Sequence, residues 1–213
     1  MRGLATSLSL VVALTAAPVM ADKGALSAEA GGGMSDLVVA APFASAPKTM
    51  NSLSATVYLG ARYALSNSLE LVGSAFYEPP VTLWHNDVTV ETPNGLFPGT
   101  LTHQLSRYGG QAGAHLVLGA VWRVHLGLEL GWSHRMYSGF RHIDVTGAEP
   151  FDYKLGLPDF NTDNLVVSPV VGLEWAAGDH WSIAVMPRAQ ALLGPDATFS
   201  LVVPVTFCWS FYL

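Results

Sequence analysis

The chain has 213 residues, of which 50% are hydrophobic and only 12% are charged, and its formal net charge is −6. An average soluble domain carries about 25% charged residues, so this composition argues against an ordinary water-exposed surface. The acidic balance also argues against nucleic acid as a partner. The one cysteine, Cys208, cannot form an internal disulfide.

Residues 1–21 are predicted to be a secretory signal peptide. Arg2 precedes an apolar stretch that reaches Val19, and the small residue Ala21 stands at the expected cleavage position. The stretch is shorter than the roughly 20 apolar residues that a membrane-spanning helix needs. We therefore expect an exported chain whose mature domain covers residues 22–213.

Three parts of the mature chain alternate large apolar residues with small or polar ones and then double back through a short turn. A period of two predicts β-strands, and the short turns predict hairpins. In the second hairpin the turn is expected at about Val124. The three predicted hairpins cover 53–65 with 69–77, 111–123 with 125–133, and 165–177 with 180–193.

Two further strands complete the prediction, a weaker one at 24–33 and a long one at 198–213. Connections that alternate between short and long are typical of an up-and-down barrel. The sequence therefore predicts an all-β fold, an eight-stranded antiparallel up-and-down transmembrane β-barrel. Its longer connections are expected at 34–52, 78–110 and 134–164, and a short one at 193–197.

The composition of the two strand faces predicts which face is outside. One face is uniformly large and apolar, as in Leu126, Leu128 and Leu130, whereas the other holds glycine, alanine, serine and isolated charges. Small side chains suit the narrow interior of an eight-stranded barrel. A soluble barrel with its apolar face inside is the alternative, but the second face lacks the lysine, glutamate and threonine that water would require. The apolar face is therefore expected to contact lipid.

Aromatic residues near the predicted strand ends indicate two belts of the kind that mark membrane–water interfaces. One belt lies beside the short turns and the other beside the long connections, where Tyr137 is also expected. The members of these aromatic belts are Tyr63, Trp122, Trp175 and Trp181 beside the turns, and Tyr77, Tyr108 and Trp132 beside the connections.

These features resemble the small eight-stranded outer-membrane β-barrels of the OmpA, OmpX and OmpW kind. The resemblance covers the leader and nearly all of 24–213, through architecture rather than through a motif. It implies the cell outer membrane of a Gram-negative envelope, with short turns in the periplasm and long connections outside. It also implies two partners, the outer-membrane lipids and the barrel-insertion machinery. In such families that machinery recognises an aromatic residue at the end of the last strand, and here Phe211 and Tyr212 precede a final Leu213.

Charged residues at predicted inward positions indicate a network of ion pairs that fills the lumen, because buried charges must be paired. Eight strands leave an interior only just wide enough for side chains, which favours a closed lumen. The predicted function is a non-enzymatic scaffold whose extracellular loops serve surface interaction or envelope integrity. The alternative is a narrow pore or a carrier for small solutes or apolar molecules. The inward residues are Arg62, Glu70, His115, Arg123, Glu129, Glu174, Arg188 and Gln190.

One inward arrangement contains the residue types of a nucleophilic hydrolase. If the second hairpin turns at Val124, His115 faces Ser133 across the strands and Glu129 lies on the same face. A lipid-modifying enzyme is therefore a third possibility. The inward orientation argues against access to lipid, so no catalytic residue is predicted. No cofactor or metal is predicted either, since the loop histidines and aspartates match no metal-binding spacing.

Overall fold

The computed structural model describes residues 23–144, 151–153 and 156–211. The predicted signal peptide lies outside this part of the chain, as do Tyr212 and Leu213. In the described residues no helix is long and apolar enough to cross a membrane. The strands are β1 (Leu26–Ala40), β2 (Thr49–Ser66), β3 (Leu69–Thr92), β4 (Gly95–Leu118), β5 (Trp122–Asp144), β6 (Phe151–Tyr153), β7 (Phe160–Ala176), β8 (Trp181–Val185), β9 (Arg188–Leu193) and β10 (Thr198–Phe211).

The strands form a closed antiparallel ring. Strand β1 pairs with β2 on one side and with β10 on the other, and the ring continues through β3, β4, β5 and β7. Strands β8 and β9 both pair with β7 and with β10, so together they make one barrel strand. The short β6 pairs with the outer end of β5. The predicted eight-stranded up-and-down barrel is confirmed.

The break between β8 and β9 lies at Met186 and Pro187. Proline has no N–H to donate to a neighbouring strand, so it interrupts a ladder in the interior of a sheet. The chain stays in the ring because neighbouring groups still bond: the N–H of Met186 donates to the Pro204 carbonyl, and the N–H of Val171 donates to the Pro187 carbonyl, both at 3.2 Å. Hydrogen bonds between neighbouring strands therefore continue around the ring at this break.

The long connection predicted at 78–110 is wrong, because β3 and β4 continue through it as a paired hairpin that turns at Pro93 and Asn94. The turn-forming residues that suggested a loop fall at two irregularities in the pairing, between Glu78 and Val81 and between His85 and Val88. A β-bulge accommodates extra residues and prolines without ending a strand. The hairpin therefore extends well beyond the outer aromatic residues.

Two other predicted connections are also shorter than expected, because the strands beside them continue further. Strand β1 continues to Ala40, with Leu37 and Val39 pointing into the barrel, so the loop covers only 41–48 rather than 34–52. Strand β5 continues to Asp144 rather than ending near residue 134. The predicted short connection at 193–197 agrees with the end of β9 and the start of β10. The strands are thus longer on the side of the long connections.

The predicted turn at Val124 is also wrong. The chain turns at 119–121, where Gly119 has a φ of +107°, a backbone conformation that favours glycine. Leu118 pairs with Val124, and His115 faces Gly127 rather than Ser133. The shift in pairing is an even number of residues, so every side chain keeps its predicted face although its cross-strand partner changes.

The outer surface of the ring is apolar on all its strands. Leu59, Leu128, Val171 and Phe207 keep between 48% and 60% of their surface exposed. Contiguous exposed apolar area of this extent is foreign to soluble monomers and marks a surface that contacts another apolar phase. The predicted orientation of the two strand faces agrees with this surface.

The structure places the seven predicted belt residues in two exposed rows. Trp122, Trp175 and Trp181 lie near the short turns with ring centroids 6.2 Å apart from one to the next, and Tyr63 joins this row. Tyr108 and Trp132 contact edge to face at 5.6 Å in the other row, beside Tyr77. Tyr137 does not belong to it: its side chain is 3% exposed and points into the barrel.

The two rows are separated by the thickness of a membrane. Trp122 and Trp132 lie ten residues apart on β5, which corresponds to about 33 Å along an extended strand. A strand tilt of about 40° reduces this length to about 25 Å along the barrel axis, the height of the apolar band in membrane barrels. The surface between the rows therefore fits the hydrocarbon core of a bilayer.

Replacing Leu128 by arginine tests this orientation. Leu128 is 52% exposed midway between the two rows, so a charge there should reduce the free energy of unfolding by about 2 to 4 kcal/mol. The matched control is Leu96→Arg at the tip of the β3–β4 hairpin, where the side chain is 62% exposed and the change should be within about 0.5 kcal/mol. Urea unfolding in lipid vesicles measures both values, and equal values would contradict the assignment.

Candidate functional site

The interior near the short turns holds a group of buried charges, which we call the lower cluster: Glu29, Arg62, Glu70, Arg123, His125, Glu174 and Cys208. Arg62 is its centre, with 4% of its side chain exposed. Its guanidinium donates to Glu29 at 2.7 and 3.0 Å and to Glu174 at 2.5 Å, and it contacts the Cys208 sulfur at 2.9 Å. One arginine thus joins β1, β2, β7 and β10 across the lumen.

Glu174 also contacts the other two basic side chains of the lower cluster, Arg123 and His125. Its other carboxylate oxygen accepts a hydrogen bond from Arg123 at 3.1 Å, and His125 Nε2 lies 3.0 Å from the oxygen that Arg62 binds. Glu70 completes the group 4.0 Å from Arg62 and 3.9 Å from His125. Carboxylates and cations are interleaved, so the positive charges separate the three glutamates.

A second group, the middle cluster, consists of Tyr58, His115, Glu129 and Arg188. Arg188 donates to Glu129 at 3.2 to 3.4 Å and to the Tyr58 hydroxyl at 2.6 Å, and its guanidinium lies 4.6 Å from the centre of the Tyr58 ring. His115 Nε2 lies 3.0 Å from Glu129 Oε1. Every member is nearly inaccessible to solvent, and the four side chains come from β2, β4, β5 and β9, so the cluster links strands across the lumen.

A third group, the upper cluster, consists of Ser35, Glu78, Arg107, Gln190 and Ser200. The Arg107 guanidinium makes a two-point contact with the Glu78 carboxylate and donates to Gln190 at 3.1 Å. The Ser35 and Ser200 hydroxyls accept from the same side chain at 3.2 and 3.4 Å. Paired hydrogen bonds between a guanidinium and a carboxylate are among the strongest in proteins.

Glycines make room for these large side chains. Gly60 pairs with Glu29 across β1 and β2, and a Cβ on Gly60 would lie 3.0 Å from the Glu29 carboxyl carbon. Gly127 likewise lies opposite His115 and Gly113 opposite Glu129. Glu29, His115 and Glu129 thus each have a residue without a side chain beside them on a neighbouring strand, and a larger residue at Gly60 or Gly127 would displace the side chain opposite.

Above the upper cluster the interior becomes apolar. This apolar cap consists of Leu37, Val39, Leu83, Leu105, Tyr137, Val166 and Leu192, with Phe140 and Phe160 packed against it. The Tyr137 and Phe160 rings stack at 4.6 Å, and Phe43 contacts the edges of Phe140 and Phe160 at 5.3 and 5.6 Å. An apolar layer of this kind lacks the polar lining that dissolved ions require.

His103, in the outer part of β4, extends the apolar cap toward the tip of the β3–β4 hairpin. Its ring stacks between His85 at 5.2 Å and Phe140 at 5.3 Å. Burial lowers the pKa of His103 to about 4, and the neighbouring His85 acts in the same direction. Both effects disfavour a positive charge, so the His103 ring is neutral at physiological pH and behaves as part of the apolar layer.

The eight inward residues predicted from the sequence all lie in the lumen. Four belong to the lower cluster, three to the middle cluster and Gln190 to the upper cluster; Arg123 is the most accessible, with 20% of its side chain exposed at the rim. The catalytic arrangement does not form, because Ser133 pairs with Gly109 and Asn164 rather than with His115. The structure does bring His115 and Glu129 together, and Arg188 joins them.

Other lumen residues were missed by the sequence prediction. Glu29 lies on the weakly patterned first strand, and Glu78, Arg107 and Arg135 fall in segments that were interpreted as loops. The continued alternation of residues through 78–110 is the signal that identifies Glu78 and Arg107 as inward. Among the described residues no group of three histidine, cysteine, aspartate or glutamate side chains is placed to hold a metal ion.

The importance of the lower cluster can be measured with Arg62→Ala. Removing this guanidinium leaves Glu29 and Glu174 buried with too little positive charge, which should reduce the free energy of unfolding by about 3 to 5 kcal/mol. Arg123→Ala is the matched control, because Arg123 binds the same Glu174 from the partly exposed rim, where water can take its place, and it should cost less than Arg62→Ala. Urea titration followed by heat-dependent gel mobility gives both values; a smaller loss for Arg62→Ala than for Arg123→Ala would refute the assigned role.

Comparison with known proteins identifies the fold. No protein-family model matches the chain, and no curated protein matches it. Among solved structures, Ail, the attachment invasion locus protein of Yersinia pestis, superposes with a TM-score of 0.52 at 13% identity, over 89% of this chain and 99% of that one. Neisserial surface protein A superposes with a TM-score of 0.51 at 13% identity, over 89% and 100%. The chain therefore has the fold of the small eight-stranded outer-membrane β-barrels.

Proposed function

We propose that this protein is an integral outer-membrane barrel that acts as a non-conducting, non-enzymatic scaffold and presents an extracellular platform for surface interaction or envelope integrity. The observation that carries the proposal is the filled lumen. Three clusters of paired charges and one apolar cap follow one another along the axis, so neither water nor ions have a continuous polar path. A pore or carrier function requires such a path.

We also assign the two aromatic rows to the membrane interfaces, and the apolar surface between them to the hydrocarbon core of the outer membrane. The apolar height of about 25 Å between the rows supports this placement. Strand β10 carries the outward residues Trp209 and Phe211, which are 44% and 48% exposed, and would be the strand that barrel-insertion machinery binds. Ail, whose name refers to attachment and invasion, shares the fold, so the fold is compatible with display at a cell surface.

The extracellular platform consists of the upper β3–β4 hairpin and the 41–48 loop. The two are joined by backbone hydrogen bonds: Ser45 donates to the Thr89 carbonyl and Glu91 donates to the Phe43 carbonyl, both at 2.8 Å. Lys48 also donates to the Asn86 carbonyl. These contacts hold the loop against the hairpin, so the platform presents a defined surface to a partner.

Removal of the hairpin tip tests the display function. Leu83 and His103 face each other across β3 and β4, so replacing residues 84–102 with Asn-Gly should form a two-residue turn. We expect this variant to keep heat-modifiable gel mobility but to fail to restore detergent resistance or surface adhesion in cells that lack the protein. Glu129→Gln, which alters the lumen and leaves the platform intact, is the matched control and should restore these properties.

An epitope tag checks the orientation in the same cells. A tag inserted between Pro93 and Asn94 should bind antibody on intact cells, whereas a tag inserted between Ala120 and Val121 at the opposite rim should bind only after permeabilisation. Full restoration by the shortened hairpin, with both tags in the expected positions, would overturn the proposed display function while leaving the membrane orientation intact.

A further inference from the structure

A cavity of about 300 Å³ opens at the outer mouth of the barrel, between the 41–48 loop, the start of β7 and the 194–197 connection. We call it the mouth cavity. Phe43, Tyr137 and Phe160 form one side of it, and Arg135, Asp196 and Thr198 contribute polar groups. Its volume is at the lower end of the range of small-molecule sites. The cavity thus combines an aromatic wall with a buried cation.

Arg135 differs from the other buried arginines that the structure describes. Arg62, Arg107 and Arg188 each donate hydrogen bonds directly to a glutamate. Arg135 instead donates from Nε to the Asn164 amide oxygen at 3.0 Å and from Nη2 to the Asp196 backbone carbonyl at 2.6 Å. Both of these acceptors are uncharged.

The only carboxylate that the structure places beside Arg135, among the residues it describes, is a weak partner. The Asp196 carboxylate oxygen lies 3.8 Å from Nη2, beyond hydrogen-bond distance, and 42% of the Asp196 side chain is exposed to solvent. The Arg135 side chain itself is only 1% exposed. A buried guanidinium with such incomplete neutralisation is energetically suited to binding an anion that enters from the cavity.

The aromatic wall is held in place by an unusual backbone. Phe43 has a φ of +57°, a left-handed conformation that is rare for a bulky residue and that occurs disproportionately at binding sites. The hydrogen bonds of the 41–48 loop to β3 keep it there, and the ring rests on the edge of Phe160 at 5.6 Å. Tyr137 and Phe160 stack beside it. Phe43 and Phe160 are partly exposed and therefore offer ring surface next to a cation, whereas the buried Tyr137 packs behind Phe160.

We propose that the mouth cavity binds a small aromatic monocarboxylate, with the ligand carboxylate on Arg135 and its ring against Phe43 and Phe160. The wall favours an aromatic ring over an alkyl chain, because rings gain from edge-to-face and stacked contacts. The volume admits one ring with a short side chain and excludes a lipid. This inference goes beyond the display function, although Phe43 belongs to the 41–48 loop of the platform, and it does not require an open lumen.

Calorimetric titration of the refolded full chain in detergent micelles tests the site, with 3-phenylpropionate as the probe and 3-phenylpropan-1-ol as its neutral analogue. We expect saturable binding of the acid, at least about tenfold tighter than that of the alcohol, because a charge-assisted hydrogen bond in a buried site provides about that difference. Arg135→Gln should weaken binding of the acid by about tenfold and leave the alcohol nearly unchanged. Arg123→Gln, at the opposite rim, should change neither.

A second variant keeps the test decisive if Arg135→Gln does not fold. Ala197 lines the cavity and is exposed, so Ala197→Trp should fold normally, fill the space and abolish binding of both probes. Equal binding of acid and alcohol by the unaltered protein would overturn the proposal. So would the lack of saturable acid binding, or acid binding that persists in Ala197→Trp.

Discussion

Two constraints act together on the interior of this barrel. A ring of eight strands encloses a space only wide enough for side chains, and a charge removed from water is tolerated only when it is paired. Arg62 illustrates the outcome, since one guanidinium binds glutamates from β1 and β7 and thereby crosses the lumen. Arg188 likewise reaches from β9 to Glu129 on β5 and Tyr58 on β2. Arg107 reaches from β4 to Ser35 on β1 and Gln190 on β9. Ring size and charge pairing together account for the ion pairs that fill the lumen, on which the proposal of a closed barrel rests.

The lumen and the outer mouth differ in how completely their charges are paired. Within the membrane-spanning part, glycines such as Gly60 provide the space in which glutamate and arginine can meet directly. Above it, apolar side chains replace the ion pairs, and among the described residues Arg135 at their edge donates to two uncharged acceptors, with the Asp196 carboxylate 3.8 Å away. The arginines of the lumen are therefore neutralised by glutamates in direct contact, whereas Arg135 at the mouth is neutralised only at a distance.

The strand pattern predicts the ring and the identity of its two faces, because the apolar face repeats every second residue over most strands. It places the turns before β3 and β8 correctly, but it misplaces the turn before β5 and predicts loops where β1, β3, β4 and β5 continue. Proline and asparagine near Glu78 and His85 suggested a loop, but bulges absorb them within β3. The turn before β5 was misplaced because alternation alone does not fix register. Tyr137 was assigned to the lipid face for a related reason: its inward position depends on where β5 ends. The pairing of Arg135 depends on loops whose packing no pattern encodes.

Conductance of the folded protein in a planar lipid bilayer tests the filled lumen most directly. Only preparations whose gel mobility changes on boiling should be used, so that an unfolded sample is not mistaken for a silent barrel. A closed lumen predicts no discrete current steps above the bare membrane across the accessible voltage range. Steady, reproducible steps from the unaltered protein would contradict the closed lumen and establish a transport function in its place.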